Sequence, residues 1–162
     1  MSCKQAEDKA QKPVYIDLET YFKSEAERLN KKKSLVNKTI RQNGTTESKN
    51  KIEIDWLNEL SLFISSDINK PAWKDSYKIT QNTVQSSYYA KDPNLRTREI
   101  QVNKDQKGNF KRIFIKNINK NYLYESTEVL VYIPDSIYSI EKKQNVILLG
   151  KNSLFIEAEI IK

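Results

Sequence analysis

Apolar residues recur along this chain with two different periods, and the change of period divides it. From Leu18 the period is helical: Leu18, Phe22, Ala26 and Leu29 fall four, four and three residues apart, and Tyr21 widens the stripe. Asp17 stands where an N-cap belongs, and Glu19, Lys23, Glu27 and Arg28 form the opposite, polar face. A second helical run, Trp56, Leu57, Leu60, Phe63, Ile64 and Ile68, follows Asp55 as its cap. Asn69-Lys70-Pro71 stops it, because proline lacks an N–H and disfavours helical geometry at the residue before it. Trp73 comes directly after and is expected to fold back on the helix end.

Between the two helical runs, Asn43-Gly44 is a strong hairpin signal, since a type I′ turn needs positive φ at both central residues. A two-residue loop there pairs Gln42 with Thr45, Thr39 with Ser48 and Leu35 with Ile52. The flanks are polar on both faces, so a protruding hairpin or a sheet edge is expected. Lys38, Lys49 and Lys51 discourage edge-to-edge association.

From Tyr77 onward the period is two. Candidate strands are Tyr77–Val84, Ser86–Lys91, a stretch with Arg98, Ile100 and Val102 alternating with Glu99 and Gln101, Phe110–Asn117, Tyr122–Ile133, Ile137–Leu148 and Leu154–Ile161. Asp92-Pro93-Asn94, Lys107-Gly108-Asn109, Asn119–Asn121, Pro134-Asp135 and Gly150-Lys151-Asn152 are the turns between them. Short turns at regular spacing imply an antiparallel meander. The expected fold is α+β: two helices packed on the concave face of a curled meander sheet of about six to eight strands, with the Asn-Gly hairpin between the helices. Residues 1–13 are small and polar and read as a disordered leader; residues 14–162 read as one domain.

Composition then narrows the chemistry. There are no histidines, which removes the commonest general base and the commonest metal ligand together. The single cysteine, Cys3, excludes a disulfide within the chain and a thiolate cluster. With three glycines and neither GxxxxGK[ST] nor GxGxxG, a phosphate cradle is not expected. Carboxylate pairs such as Glu157 and Glu159, or Asp135 and Glu141, have lysines near them and read as surface ion pairs. Neither a metal nor a cofactor is expected, nor an enzymatic activity. No run of about 18 apolar residues is present.

The net charge of +7 is uneven. Residues 1–52 hold 12 Lys/Arg against 7 Asp/Glu, and residues 91–120 hold 9 against 3. Such stripes suit nucleic acid, acidic partners or anionic lipid, and also a plainly solvated surface. The candidate basic patch is Arg96, Arg98, Lys111, Arg112 and Lys116 on the 96–120 hairpin, with Phe110 and Phe114 beside them as stacking rings. It supports an alternative function as a nucleic-acid-binding module, although Ile113-Phe114-Ile115 also reads as core. A ligand pocket between helices and sheet is the other candidate. Trp73, Tyr89, Tyr124 and Tyr132 would line it, each an aromatic body with a polar tip.

Asp67-Ile68-Asn69-Lys70-Pro71-Ala72-Trp73, with Asp55-Trp56, Glu59-Leu60 and Tyr132-Ile133-Pro134-Asp135, resembles a segment of uncharacterised cell-envelope lipoproteins of Bacteroidota. Ser2-Cys3 followed by a polar stretch resembles the processing point of such proteins. The resemblance implies an acylated Cys3, the signal peptide being absent from this sequence, and a domain tethered at the periplasmic face of a bacterial membrane. The expected architecture is also similar to that of periplasmic lipoprotein-carrier proteins. On this reading the chain is a non-enzymatic envelope lipoprotein domain that binds a partner protein, or an apolar ligand between helices and sheet.

Overall fold

A computed structural model describes residues 12–161, so Cys3 and most of the leader lie outside the described residues. Helix α1 spans Leu18–Lys31, β1 Leu35–Gln42 and β2 Thr45–Ile52. Two single-turn helices follow, α2 over Trp56–Glu59 and α3 over Ser61–Ile64, then a 3₁₀ turn at Pro71–Trp73. The meander comprises β3 (Tyr77–Gln81), β4 (Gln85–Ala90), β5 (Thr97–Lys104), β6 (Phe110–Lys120), β7 (Tyr124–Ile133), β8 (Ile137–Val146) and β9 (Gly150–Ile161). All nine strands form one antiparallel sheet in the order β2-β1-β9-β8-β7-β6-β5-β4-β3, not closed into a barrel.

This corrects the expected fold in three respects. The sheet has nine strands, because the N-terminal hairpin does not stand apart. Its first strand pairs with the last of the meander, from Leu35↔Ile161 to Gln42↔Leu154. The expected helix 56–68 is broken. Leu60 sits at φ −89, ψ 7, and the hydroxyls of Ser65 and Ser66 both donate to the Leu62 carbonyl, competing with the backbone ladder. The result is one long helix and two single turns. Last, Ile147–Leu149 is a loop, and Gly150-Lys151-Asn152 belongs to β9, where Val146↔Gly150 is the closing pair.

Other expectations hold. The Asp17 side chain accepts from Thr20 N and caps α1, and Asp55 accepts from Leu57 N to cap α2. Asn43 and Gly44 have φ of 48° and 87°, and Gln42↔Thr45 and Thr39↔Ser48 pair as the turn demands. Further along, the hairpin slips by one: Ile52 faces Val36 instead of Leu35, because the Asn37 side chain accepts from the Lys51 N–H at a bulge.

One face of the sheet carries the helices. Leu18, Phe22, Ala26 and Leu29 of α1 are fully buried, with Trp56, Leu60, Phe63 and Ile68, against Ile113, Ile115, Leu130, Tyr132 and Tyr138. Two tyrosine hydroxyls help tie the layers. The Tyr132 hydroxyl donates to Glu25 at 2.6 Å, and that of Tyr138, its direct neighbour across β7 and β8, donates to Glu59 at 2.6 Å. Each glutamate also meets a cation: Arg28 at 2.6 Å for Glu25, and Lys38 at 2.6 Å for Glu59.

The crossover into the sheet is held by side chains that mimic backbone. Asp67 accepts from the N–H groups of Leu18 and Glu19 at 2.7 and 3.1 Å, serving two orphan donors of the first turn of α1. Asn69 accepts from Tyr15 N at 2.9 Å and donates to the Ile16 carbonyl at 2.8 Å. The Tyr15 hydroxyl reaches onward, donating to the Lys74 carbonyl and accepting from Tyr77 N. Replacing Asn69 by alanine leaves a partly buried donor and acceptor unmatched. The expected loss is about 2 kcal/mol in urea unfolding, and an unchanged midpoint and slope would show that the clamp contributes nothing.

Candidate functional site

The space between helices and sheet is filled. Phe22, Trp56, Phe63, Tyr132 and Tyr138 are the largest of its fully buried side chains, and Phe22 and Tyr132 meet edge to face at 5.3 Å. The four candidate pocket residues do not converge. Tyr132 lies in this filled layer. Tyr124 is on the same strand eight positions away, about 27 Å along it at the usual rise per residue. Tyr89 pairs with Glu99 on the opposite face, and Trp73 stacks under the Lys70 ammonium at 4.3 Å.

The five residues of the candidate basic patch are divided too. Arg96 points under the helices, donating to Glu128 at 2.7 Å. Arg98 reaches the Asp92 carbonyl, and Lys111 pairs with Asp105 at 3.7 Å. Arg112 and Lys116 lie on the other face, Arg112 against Phe114 at 5.5 Å and Lys116 in register with Glu99. Among the described residues no group of three or more His, Cys, Asp or Glu could hold a metal ion, and no helix is long and apolar enough to cross a membrane.

Glu128 marks where the helical layer ends. Its buried carboxylate takes Arg96 at 2.7 Å, Lys142 at 3.3 Å and the amide of Asn117, which also donates to Ser66. Burial pushes this carboxyl up, but the Arg96 guanidinium and the Lys142 ammonium together outweigh burial and hold it below the ordinary carboxylate value. Beyond Glu128 the strands β6–β9 continue for several residues past the helices to two loops.

Those loops carry a feature that the sequence reading did not identify. The β6–β7 loop exposes Tyr122 and Leu123, and the β8–β9 loop exposes Ile147, Leu148 and Leu149. Tyr122 is 85% exposed, Leu149 83% and Leu148 99%. The Ile147 N–H donates to the Leu123 carbonyl at 2.9 Å, so the two loops are one structural unit. The Asn121 side chain accepts from Leu123 N and Tyr124 N and fixes the first loop from within. Five large apolar side chains thus share one end of the sheet. Single exposed leucines are ordinary, and it is their grouping at one end that distinguishes these five.

Backbone geometry adds one detail at this tip. Leu148 has φ 77°, a left-handed conformation that disfavours any branched residue. An asparagine or glycine would relieve it. Lys33, Lys51 and Asp135 also adopt positive φ, and what sets Leu148 apart is that a fully exposed apolar side chain occupies the position.

The tip is also basic at its base. Residues 118–127 and 142–153 contain Lys120, Lys142, Lys143 and Lys151 against a single acid, Glu125. Lys142 is committed to Glu128, whereas Lys120, Lys143 and the Glu125 that pairs with Lys120 at 3.5 Å are all more than half exposed. Comparison with protein-family models, with curated proteins and with solved structures finds no match to this chain.

Two outcomes are expected. Leu148→Asn raises the unfolding free energy by about 1 kcal/mol, because asparagine tolerates positive φ; a loss of stability would mean that Leu148 packs against the fold. Glu128→Gln costs about 2 kcal/mol at neutral pH by leaving Arg96 and Lys142 without their counter-charge. A depressed carboxyl stabilises above its unfolded pKa and ceases to do so as pH falls through its folded value. The gap between wild type and variant therefore narrows on acidification below the ordinary carboxylate range. A gap in urea midpoints that stays constant from pH 7 to pH 3 would contradict that assignment.

Proposed function

We propose that this chain is a non-enzymatic domain of a bacterial cell envelope that docks on a lipid bilayer through the β6–β7 and β8–β9 loops. The observation that carries the reading is the fixed pair of loops presenting Tyr122, Leu123, Ile147, Leu148 and Leu149 to solvent. A bilayer suits this surface better than a protein partner does. Five side chains at the end of a sheet offer roughly a few hundred Å², whereas a stable protein interface needs about 800 Å² from each side. Tyrosine at the margin of this surface suits the membrane–water boundary, and lysines below it favour an anionic leaflet.

The resemblance to envelope lipoproteins supports the same placement. An acyl group on Cys3 would act as one anchor and the apolar tip as another, and paired weak anchors give far firmer attachment than either alone. The filled helix–sheet layer lends no support to an apolar ligand held there. Splitting of the basic patch between two faces likewise lends none to a nucleic-acid groove.

The test is co-sedimentation of the unacylated full chain with phosphatidylcholine vesicles doped with phosphatidylglycerol. Wild type is expected to bind. Leu148→Asp with Leu149→Asp is expected to weaken binding at least tenfold to every vesicle composition, since each change removes apolar burial and adds a charge. Equal binding by the variant, or no binding by wild type, would overturn the reading and leave a protein partner as the occupant of the tip.

A further inference from the structure

One groove lies directly beneath this tip, on the sheet face that the helices leave uncovered. It has a volume of about 370 Å³ and runs across two rows of paired residues, Glu125–Asn145–Lys151 and Thr127–Lys143–Ser153. Those rows place two ammonium groups, two hydroxyls and a carboxamide around one hollow. We infer that this groove binds the phosphate of an anionic phospholipid head group, an inference that rests on the bilayer-docking reading of the tip.

Depth supports the assignment. The Asn145–Lys151 pair is one residue below the closing pair Val146–Gly150, and the Lys143–Ser153 pair is three below it. At the rise of an antiparallel strand those rows lie about 3 and 10 Å from the closing pair. An apolar tip that enters the head-group boundary by about 5–10 Å brings both rows to the level of lipid phosphates. Lysine stems span the remaining distance with their charged ends directed at the head groups.

Chemistry supports it as well. Ammonium, hydroxyl and amide groups all donate to phosphate oxygens, and the groove needs no glycine-rich cradle to do so. The one acid in its lining, Glu125, already faces Lys120. Lys143 contacts Glu141 at 2.6 Å, but its side chain is 71% exposed, and an ion pair this open to water is readily exchanged for a phosphate. A lipid phosphodiester presents two unesterified oxygens and one negative charge, and a carboxylate lipid would supply the charge without the phosphodiester.

The experiment uses the full chain and three vesicle types built on a bilayer lipid that has no phosphate: digalactosyldiacylglycerol alone, digalactosyldiacylglycerol with phosphatidylglycerol, and digalactosyldiacylglycerol with oleate at matched surface charge. Wild type is expected to bind phosphatidylglycerol vesicles about fivefold more tightly than the oleate vesicles. Lys143→Ala with Lys151→Ala is expected to erase that preference, lowering affinity for the phosphatidylglycerol vesicles by about fivefold per lysine while retaining the weak binding to the uncharged, phosphate-free vesicles that the tip supplies. Lys107→Ala with Lys111→Ala makes the same change of charge at the opposite end of the sheet and is expected to keep the preference. Excess inorganic phosphate at constant ionic strength is expected not to release the protein; full release would assign the groove to free phosphate and overturn the proposal. So would parity between phosphatidylglycerol and oleate for wild type, or a preference that survives loss of both lysines. In each of those cases binding that still depends on Leu148 and Leu149 leaves the docking reading intact, whereas loss of all vesicle binding removes both.

Discussion

The contact on which this structure turns is the clamp between Asp67-Ile68-Asn69 and the residues that open α1. Asp67 brings a carboxylate to the positive end of the helix dipole and serves two of its orphan N–H groups. Asn69 pairs with the backbone at Tyr15 and Ile16 as a strand would. Tyr15 then closes the circuit by bonding to the backbone just before β3. Helix start, crossover and first meander strand therefore meet at one place. With Ile68 buried between the two clamping residues, the polar contacts and the core enforce the same geometry.

The two tyrosine–glutamate bonds orient what the clamp positions. Tyr132 and Tyr138 are cross-strand neighbours, so their hydroxyls stand side by side beneath the helices. One reaches Glu25 on α1 and the other Glu59 on α2. Burial raises both phenols well above their ordinary pKa, and the glutamates that accept their protons raise them further. The hydroxyls thus stay protonated at neutral pH and serve as donors. Apolar contact alone would let α1 and α2 slide over the sheet; two fixed donors specify a single arrangement.

Much of this was legible in the sequence, and the part that was not has a common cause. Caps at Asp17 and Asp55, the Asn43-Gly44 turn and the alternation of Ile113, Phe114 and Ile115 are local signals, and they were readable because neighbours in sequence set them. The nine-strand count failed because nothing near Leu35 announces that it pairs with Ile161. Asn69 read as a helix stop, and its bonds to residues more than fifty positions away were invisible. Glu25 and Glu59 look like solvated helix residues until the tyrosines that reach them are placed. Among the pocket candidates, Tyr132 and Tyr124 share a strand and a face, yet their separation along it keeps them apart.

The tip is the clearest instance. Val146-Ile147-Leu148-Leu149 has strong strand propensity, and Gly150-Lys151-Asn152 has the composition of a turn, so local preference places the reversal about three residues late. Register decides otherwise. Pairing of Tyr124 with Val146 and of Val146 with Gly150 leaves three apolar residues with no strand partner, one of them at positive φ. Positive φ falls on Asn43, Gly44 and Gly108 but also on Lys33, Lys51 and Asp135, and Leu148 differs from all of them in being a large apolar residue, fully exposed. Retaining leucine against both propensity and solvation is a conflict between local and global preference. Such conflicts are expected where a surface is shaped for something other than its own stability. The same sheet therefore carries two kinds of apolar residue: those at its covered middle, which build the fold, and those at its far end, which the fold holds out.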